Sequence, residues 1–204
     1  MNRIPLPDEI TATKVIAIAR RVPTERLIAV ARLLSNAGLT VLEITLDAED
    51  AFSSIERLAP GPMQVGAGTV RTPADVARAR DAGARFIVSP HTSAAVIDAA
   101  TEHGLPVMAG AMTPTEAVAA WDLGVSAVKL FPASVGGPEF LRSLTGPLGD
   151  IAFIPTGGVD ASNARSYLAA GAVAVGVGGW LTGLEDLDET RARAIALAGV
   201  NRRG

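Results

Sequence analysis

The sequence predicts a single (β/α)8 barrel formed by residues 1–204, and three observations lead to that prediction. Eight short apolar runs rich in β-branched residues recur along the chain, and stretches with helical periodicity lie between them. The runs start 20 to 25 residues apart, which fits one strand, one helix and two short loops and leaves no room for an inserted domain. An open doubly wound sheet is the structural alternative, but eight evenly spaced units without interruption favour closure into a barrel.

The elements follow one another in a regular order. The predicted strands are VIAIAR (15–20), TVLEITL (40–46), MQVGAGTV (63–70), RFIVSP (85–90), LPVMAGA (105–111), SAVKLFP (126–132), IAFIPTGG (151–158) and AVAVGVGG (172–179). The clearest predicted helices are TERLIAVARLLSNAG (24–38), PADVARARDAG (73–83), SAAVIDAATEHG (93–104), PTEAVAAWDLG (114–124) and ASNARSYLAAG (161–171). Most of these helical stretches end on the glycine expected just past a helix carboxyl terminus, and several begin with a residue typical of helix starts.

Composition narrows the classes of function. The formal net charge is -3 from 18 basic and 21 acidic residues spread along the chain, so no basic block suits nucleic acid. The chain has no cysteine, which excludes disulfides, zinc-thiolate sites and thiol nucleophiles. The sequence has no leader-like amino terminus and no apolar run of membrane-spanning length. We therefore expect a cytoplasmic protein with a small-molecule substrate, no nucleic-acid or membrane partner, no metal and no cofactor.

Lys129 is the residue that most needs a functional explanation. It lies inside the apolar sixth strand, where a period of two places it with Ala127 and Phe131 on one face. That face points toward the barrel axis if Val128 and Leu130 pack outward. An ammonium group buried there would lose several kcal/mol of hydration unless it were paired or neutral. The alternative is a side chain that snorkels to the rim and keeps its charged end in water.

The rarity of lysine supports a chemical role for Lys129. Of the 18 basic residues, 16 are arginine and only Lys14 and Lys129 are lysine. Arginine cannot act as a nucleophile, whereas a desolvated lysine can attack a carbonyl group as a free amine. Because Lys14 precedes the first strand, it would lie at the opposite end of the barrel from the active site. The sequence therefore favours Lys129 as a Schiff-base lysine.

Glu43 is a second ionisable residue within an apolar strand. In TVLEITL it shares a face with Val41 and Thr45, so it also points inward if its neighbours pack outward. An enzyme that makes or breaks carbon–carbon bonds through a Schiff base needs a group that moves protons, and a carboxylate can serve. The alternative is a buried ion pair of Lys129 and Glu43 with a purely structural role.

Glycine pairs follow the last two predicted strands, at Gly157 and Gly158 and at Gly178 and Gly179. Loops after strands seven and eight form the recurrent phosphate site of this fold, and glycines let backbone N–H groups approach an anion closely. We expect the helix after the first pair to be capped by Asp160 or Ser162. The two pairs together predict a phosphate cradle.

The third strand, in VGAGTV, resembles part of a dinucleotide-binding fingerprint. Arg71 stands where that fingerprint requires its third glycine, and the strand is not the first of the chain. We interpret this stretch as a tight strand that faces the substrate and carries Thr69.

Seven ordered motifs resemble one family of enzymes. LEITL, VGAGTV, FIVSPH, GAMTPTEA, VKLFPAS, PTGGV and VGVGGWL are together similar to the class I 2-keto-3-deoxy-6-phosphogluconate (KDPG) / 4-hydroxy-2-oxoglutarate (KHG) aldolases, and the resemblance extends over almost the whole chain. It implies that Lys129 forms an imine with pyruvate, that Glu43 is the general acid/base and that the protein is a homotrimer. The remaining implied substrate contacts are Thr69 for the pyruvate carboxylate, Pro90 and Phe131 for the walls of the pyruvyl site, Thr156 for the substrate hydroxyls, and Gly157, Gly158, Gly178 and Gly179 for the distal phosphate.

Three positions depart from the family pattern. Asp47 stands where a number of members carry an arginine for substrate anions, and Arg20 at the end of the first strand is the natural substitute. Gly179 occupies a position that is often serine, which removes one hydroxyl donor to phosphate. Ala109 stands where Pro-Gly is common. These departures bear on the substrate more than on the reaction.

The expected reaction is cleavage of KDPG to pyruvate and glyceraldehyde 3-phosphate, with KHG as a second substrate that yields pyruvate and glyoxylate. The phosphogalactonate analogue of KDPG is an alternative substrate. Three other functions stay open: a phosphate-binding isomerase or synthase that forms no imine, a sugar-acid binding protein without catalysis, and a metal-dependent aldolase. The last has only His91 and His103 as imidazole ligands. We expect Arg71 and Trp180 to be surface or trimer contacts.

Overall fold

The computed structural model describes residues 3–200 and confirms the predicted barrel. The strands are β1 (Val15–Ala19), β2 (Val41–Thr45), β3 (Gln64–Gly68), β4 (Ile87–Val88), β5 (Val107–Ala111), β6 (Ala127–Leu130), β7 (Phe153–Pro155) and β8 (Val175–Val177). They are all parallel, and the order across the sheet runs from β7 down to β1 and then β8. A bridge between Thr156 and Gly176, and a hydrogen bond of 3.0 Å from the Val173 N–H to the Phe153 carbonyl, join β7 to β8 and close the barrel.

Helices alternate with the strands, from a helix before β1 to helices after β8. They are α1 (Asp8–Thr13), α2 (Thr24–Ala37), α3 (Ala51–Leu58), α4 (Pro73–Asp81), α5 (Ala94–Glu102), α6 (Pro114–Asp122), α7 (Gly137–Thr145), α8 (Ala164–Ala169), α9 (Gly179–Thr182) and α10 (Leu187–Ala198), with a 3-10 turn at Ala133–Val135. Every strand lies within a predicted run, and the five helices singled out from the sequence are present. Within residues 3–200, no helix has the length and apolar content needed to cross a membrane.

Each strand divides its side chains between two apolar cores. Outward-pointing side chains pack with the helices in one large cluster, to which Val128 and Leu130 belong. Inward-pointing side chains form a smaller cluster around the barrel axis, to which Ala127 and Val41 belong. Because side chains alternate along a strand, Lys129 next to Ala127 and Val128 points into the barrel, as its sequence pattern predicts.

Helix α1 covers the amino-terminal end of the barrel. Its residue Ile10 is completely buried (0% exposed) and belongs to the inner cluster. Lys14 ends this helix and lies directly before β1, so it sits at the end opposite the carboxyl termini of the strands, as predicted. The packed plug leaves the carboxyl end of the barrel for a binding site, which is where this fold carries its active sites.

Threonine side chains fix two loops at that carboxyl end. Thr72 accepts a hydrogen bond of 3.1 Å from the Asp75 N–H at the start of α4, which follows β3. Thr113 and Glu116 form a capping box at the start of α6, which follows β5. Both helices also have a proline in the first turn, where its fixed φ suits the helix. These caps determine where each loop ends and its helix begins.

We predict that Ile10→Ala lowers the free energy of unfolding by about 2 to 5 kcal/mol, because it leaves a cavity in the inner core. The matched control is Ile195→Ala, since Ile195 is 59% exposed on α10. That control should change the free energy of unfolding by less than about 0.5 kcal/mol. Urea denaturation of the two variants measures both values, and equal effects would contradict the assignment of Ile10 to a packed plug.

Candidate active site at the carboxyl end of the barrel

Lys129 and Glu43 face each other inside the barrel. Lys129 Nζ lies 3.7 Å from Glu43 Oε1, and the two residues are 6% and 2% exposed. Within the described residues, Glu43 Oε1 makes no hydrogen bond, and the distance to Nζ exceeds that of a good one. Burying two charges without further hydrogen bonds is costly, so stability alone does not account for this pair. Such a pair is typical of a functional site.

Two glycines in β3 leave space for large side chains, Gly66 for Phe86 and Gly68 for Glu43. Gly66 pairs with Glu43 in the β2–β3 register, and a Cβ on Gly66 would lie 2.2 Å from the Phe86 ring. A Cβ on Gly68 would lie 2.0 Å from Glu43 Oε1. The glycines of VGAGTV therefore serve close packing beside the carboxylate, which agrees with a tight strand that faces the site.

A pocket of about 300 Å3 opens above Lys129 at the carboxyl end of the barrel. Its walls include eight of the residues predicted from the sequence, namely Arg20, Lys129, Phe131, Thr156, Gly157, Gly158, Gly178 and Gly179. Phe131 separates it from a second cavity of about 270 Å3, which Pro90 lines. Thr69 lies next to Arg20, with its Oγ1 3.5 Å from Arg20 Nη2. All eleven predicted site residues thus meet at one end of the barrel, with Glu43 beneath the pocket floor.

The loop after β7 depends on glycine. Gly157 and Gly158 have φ angles of 92° and 75°, which residues other than glycine rarely adopt. The expectation that Asp160 or Ser162 caps the next helix is wrong, because α8 begins later, at Ala164. Asp160 instead accepts a hydrogen bond of 2.7 Å from the Ser162 N–H within the loop. A side chain that bonds its own backbone two residues on stabilises a turn and delays the helix start.

The eighth strand ends in a more open arrangement. A Cβ on Gly176 would lie 2.4 Å from Thr156 Oγ1, so this glycine lets the Thr156 side chain fit against β8. A Cβ on Gly179 would meet no atom of the described residues within 4 Å. The serine that is common at this position in the family would therefore fit here without a clash.

Arg20 reaches the pocket while it is paired with Asp47. Arg20 Nη1 donates to Asp47 Oδ2 at 3.0 Å, and Arg21 Nε lies 3.3 Å from the same oxygen. Burial works to raise the pKa of Asp47, but the hydrogen bond from Thr45 and the charges of Arg20 and Arg21 together hold that pKa below its ordinary value. The carboxylate is therefore ionised near neutral pH. The sequence placed Arg20 at this end of the barrel but did not predict its ion pair.

Four residues of the pocket wall were not predicted from the sequence, namely Ile18, Val159, Asp160 and Trp180. The hydrogen bonds from Ser162 lead the causes that hold the pKa of Asp160 below its ordinary value, so the wall carries a negative charge. Trp180 is held by Arg193, which donates to its carbonyl oxygen at 2.6 Å and stacks 4.8 Å from its ring centre. Position directly after β7 and β8 is the signal that could have identified both residues.

The histidines and Arg71 lie outside this pocket. His91 lines the cavity that contains Pro90, and His103 lies at the end of α5 beside Arg80. Arg71 lines a cavity of about 520 Å3 next to Thr69. Among the residues that the structure describes, no three side chains of the metal-binding types come together in a possible metal site.

Comparison with known proteins finds relatives in the same family that the motifs resemble. A profile of the aldolase family described as "KDPG and KHG aldolase" matches residues 7–196. A probable 2-dehydro-3-deoxy-6-phosphogalactonate aldolase of Rhizobium meliloti is 42% identical over 96% of this chain and 94% of its own length. A 2-dehydro-3-deoxy-phosphogluconate aldolase of Dickeya dadantii is 37% identical over 92% of this chain and 91% of its own length.

Solved structures agree with the sequence comparison. The crystal structure of KDPG aldolase from Legionella pneumophila, with pyruvate captured at low pH as a covalent carbinolamine intermediate, superimposes with a TM-score of 0.80. The two sequences are 28% identical, and the match covers 95% of this chain and 94% of that chain. The profile match and the relatives show that this chain belongs to the KDPG and KHG aldolase family, as its motifs predict, and that it is an aldolase.

Proposed function

We propose that this protein is a Schiff-base aldolase that cleaves KDPG to pyruvate and glyceraldehyde 3-phosphate, with KHG as a second substrate. The observation that carries the proposal is the buried pair of Lys129 and Glu43, 3.7 Å apart, with Lys129 in the wall of the pocket. Lysine attacks as a free amine, and a carboxylate at this distance can accept the proton that the ammonium group gives up. The carbinolamine captured in the Legionella structure supports the same chemistry for this family member.

The reaction starts at the keto group of the substrate. The Lys129 amine adds to C2. Glu43 then passes the proton that it took from the ammonium group to the carbinolamine hydroxyl, which leaves as water and gives a protonated imine. This cation accepts the electron pair of the C3–C4 bond as that bond breaks, while Glu43 takes the proton of the C4 hydroxyl. The aldehyde leaves, the enamine takes a proton at C3, and water releases pyruvate and restores the lysine.

Arg20 and Thr69 form the proposed site for the carboxylate of pyruvate. Their side chains lie 3.5 Å apart at the edge of the pocket, so a carboxylate can bond to both. Pro90 and Phe131 supply apolar walls for the pyruvyl group. Lys129 Nζ lies 5.4 Å from the centre of the Phe131 ring, which supports a role for this ring as a wall beside the reacting carbon.

The opposite side of the pocket is the proposed site for the sugar chain and its phosphate. Thr156 would bond to the substrate hydroxyls at the base of the glycine loops. Backbone N–H groups of the two glycine pairs, Gly157 with Gly158 and Gly178 with Gly179, would hold the phosphate. Asp160 on the same wall opposes an anion, so the backbone must supply the favourable contacts.

The phosphogalactonate analogue of KDPG is the second candidate substrate. The relative from Rhizobium meliloti, at 42% identity, is named for that sugar acid. The two substrates differ in stereochemistry at C4, the carbon whose hydroxyl Glu43 would deprotonate. We also propose that residues 1–204 form a single domain and that the protein is cytoplasmic. From the family resemblance, we propose that it is a homotrimer.

We predict that borohydride in the presence of pyruvate leaves a reduced pyruvyl adduct on the peptide that contains Lys129. Intact-mass analysis followed by peptide mapping measures it. Lys129→Arg should give no adduct, whereas Lys14→Arg, the matched control at the other lysine, should react like the wild type. A folded wild type without adduct would contradict the imine mechanism and favour a phosphate-binding isomerase.

We predict that Gly68→Ala lowers kcat by roughly a hundredfold or more, the scale of general acid–base catalysis, because the new methyl group displaces the Glu43 carboxylate. Glu43→Gln should lower kcat to a similar extent. The matched control is Gly146→Ala, where the nearest atom to a new Cβ lies 3.9 Å away. Steady-state rates of KDPG cleavage measure the effect, and a Gly68→Ala enzyme with normal kcat would argue against a role for Glu43.

We predict that Gly179→Ser lowers KM for KDPG by about threefold to tenfold, because the hydroxyl adds a hydrogen bond to phosphate in space that is open. KM for KHG, which has no phosphate, should stay unchanged. Parallel kinetics with both substrates measure the difference. An equal change for both would place the phosphate away from Gly179.

A further inference from the structure

Side chains from three loops at the mouth of the barrel form one group around the Asp47 carboxylate. Arg20 and Arg21 follow β1, Asp47 follows β2 and Thr69 follows β3. Both arginines contact Asp47 Oδ2, at 3.0 and 3.3 Å, and Arg20 also reaches Thr69 at 3.5 Å. The Asp47 side chain is therefore the common partner of the two arginines that lie next to the proposed carboxylate site.

Asp47 is itself held from below. Thr45 Oγ1 donates to Asp47 Oδ1 at 2.6 Å and lies 3.2 Å from the Ala19 carbonyl oxygen. Thr45 is completely buried, so this contact ties the carboxylate to the rigid ends of β1 and β2. The Asp47 side chain is 19% exposed, whereas those of Arg20 and Arg21 are 54% and 73% exposed. Asp47 is thus the more buried member of the group and is held by Thr45, whereas the arginines are the more exposed members.

Two of the neighbouring residues have strained backbones. Arg21 and Thr69 have φ angles of 53° and 59°, in the left-handed region. A β-branched residue such as Thr69 adopts that region rarely, and strain of this kind concentrates at functional sites. At Thr69 it accompanies a side chain that lies beside Arg20, and at Arg21 a side chain that reaches Asp47.

We infer that Asp47 is a positioning residue of this aldolase, which holds Arg20 by Nη1 so that Nη2 faces Thr69 and the carboxylate of the bound substrate. The inference rests on the function proposed above. An exposed arginine otherwise samples many rotamers, and fixing it in advance removes an entropic cost from binding. Exposed ion pairs add little stability, so orientation is the main effect of this one.

Charge fits the same role. Arg20, Arg21 and Asp47 together carry a net charge of +1. A single positive charge suits the binding of one carboxylate. The lowered pKa of Asp47 keeps the pair intact at neutral pH.

The opposite interpretation is that Asp47 competes with the substrate for Arg20. A positioning residue improves substrate binding, so its removal raises KM. A competitor weakens substrate binding, so its removal lowers KM. The sign of the change in KM therefore decides between the two roles.

The test compares Asp47→Ala, Asp47→Asn, Arg20→Ala and the double variant Asp47→Ala/Arg20→Ala in the full chain. Asp47→Ala should raise KM for KDPG about tenfold, equal to about 1.4 kcal/mol, with kcat changed less than about threefold. Asp47→Asn should restore KM to within about threefold of the wild type. Its amide oxygen can accept from Arg20, while its NH2 group donates to Thr45 Oγ1, which can in turn donate to the Ala19 carbonyl oxygen. In the Arg20→Ala background, Asp47→Ala should add less than about twofold.

The control for the loss of a negative charge is Asp75→Ala, since Asp75 and Asp47 both line the cavity of about 520 Å3 next to Thr69. KM should stay at the wild-type value in that variant. A lower KM in Asp47→Ala, an Asn variant as weak as the Ala variant, or an equal rise of KM without Arg20 would each overturn the inference.

The pyruvate concentration that gives half-maximal inactivation by borohydride separates this inference from the proposed function. It should rise in Asp47→Ala about as much as KM does. If the wild type is trapped by pyruvate but Asp47→Ala requires no more pyruvate, the inference fails and the aldolase mechanism stands. If the wild type neither cleaves KDPG nor forms an adduct, the proposed function fails and the inference fails with it.

Discussion

The burial of a lysine beside a carboxylate inside the barrel is the constraint around which the active-site end is built. Lys129 and Glu43 lie 3.7 Å apart and are almost inaccessible to solvent. An arrangement of this kind persists only when the surrounding packing leaves no alternative position for either side chain. Gly68 gives the carboxylate its space, and apolar side chains of the inner core fill the barrel interior.

Closure of the barrel brings the other functional groups to the same edge. The loops after β1 and β2 provide Arg20, Arg21 and Asp47, which together carry a net charge of +1, and the loop after β3 provides Thr69. The loops after β7 and β8 provide glycine backbone on another side. With the sites proposed above, a substrate with a carboxylate at one end and a phosphate at the other would span the pocket, with its keto carbon above Lys129. The fold would then set the distance between the two proposed anion sites.

Features of the fold and the site that depend on local pattern could be predicted from the sequence. Strand positions, the inward direction of Lys129 and the glycine pairs all follow from spacing along the chain. Contacts across the barrel could not be predicted, because they depend on how strands far apart in sequence are brought together. The ion pair of Arg20 with Asp47 and the packing of Gly68 against Glu43 are of that kind. The start of α8 was misjudged because Asp160 bonds its own loop rather than a helix end.

A crystal structure of the protein soaked with pyruvate tests the central claim most directly. The account predicts continuous electron density between Lys129 Nζ and C2 of pyruvate, with the carboxylate in hydrogen-bond distance of Thr69 and Arg20. It also predicts that the Glu43 carboxylate lies close enough to the new bond to exchange a proton with it. Pyruvate bound without a covalent bond, while Lys129 stays paired with Glu43, would contradict the account.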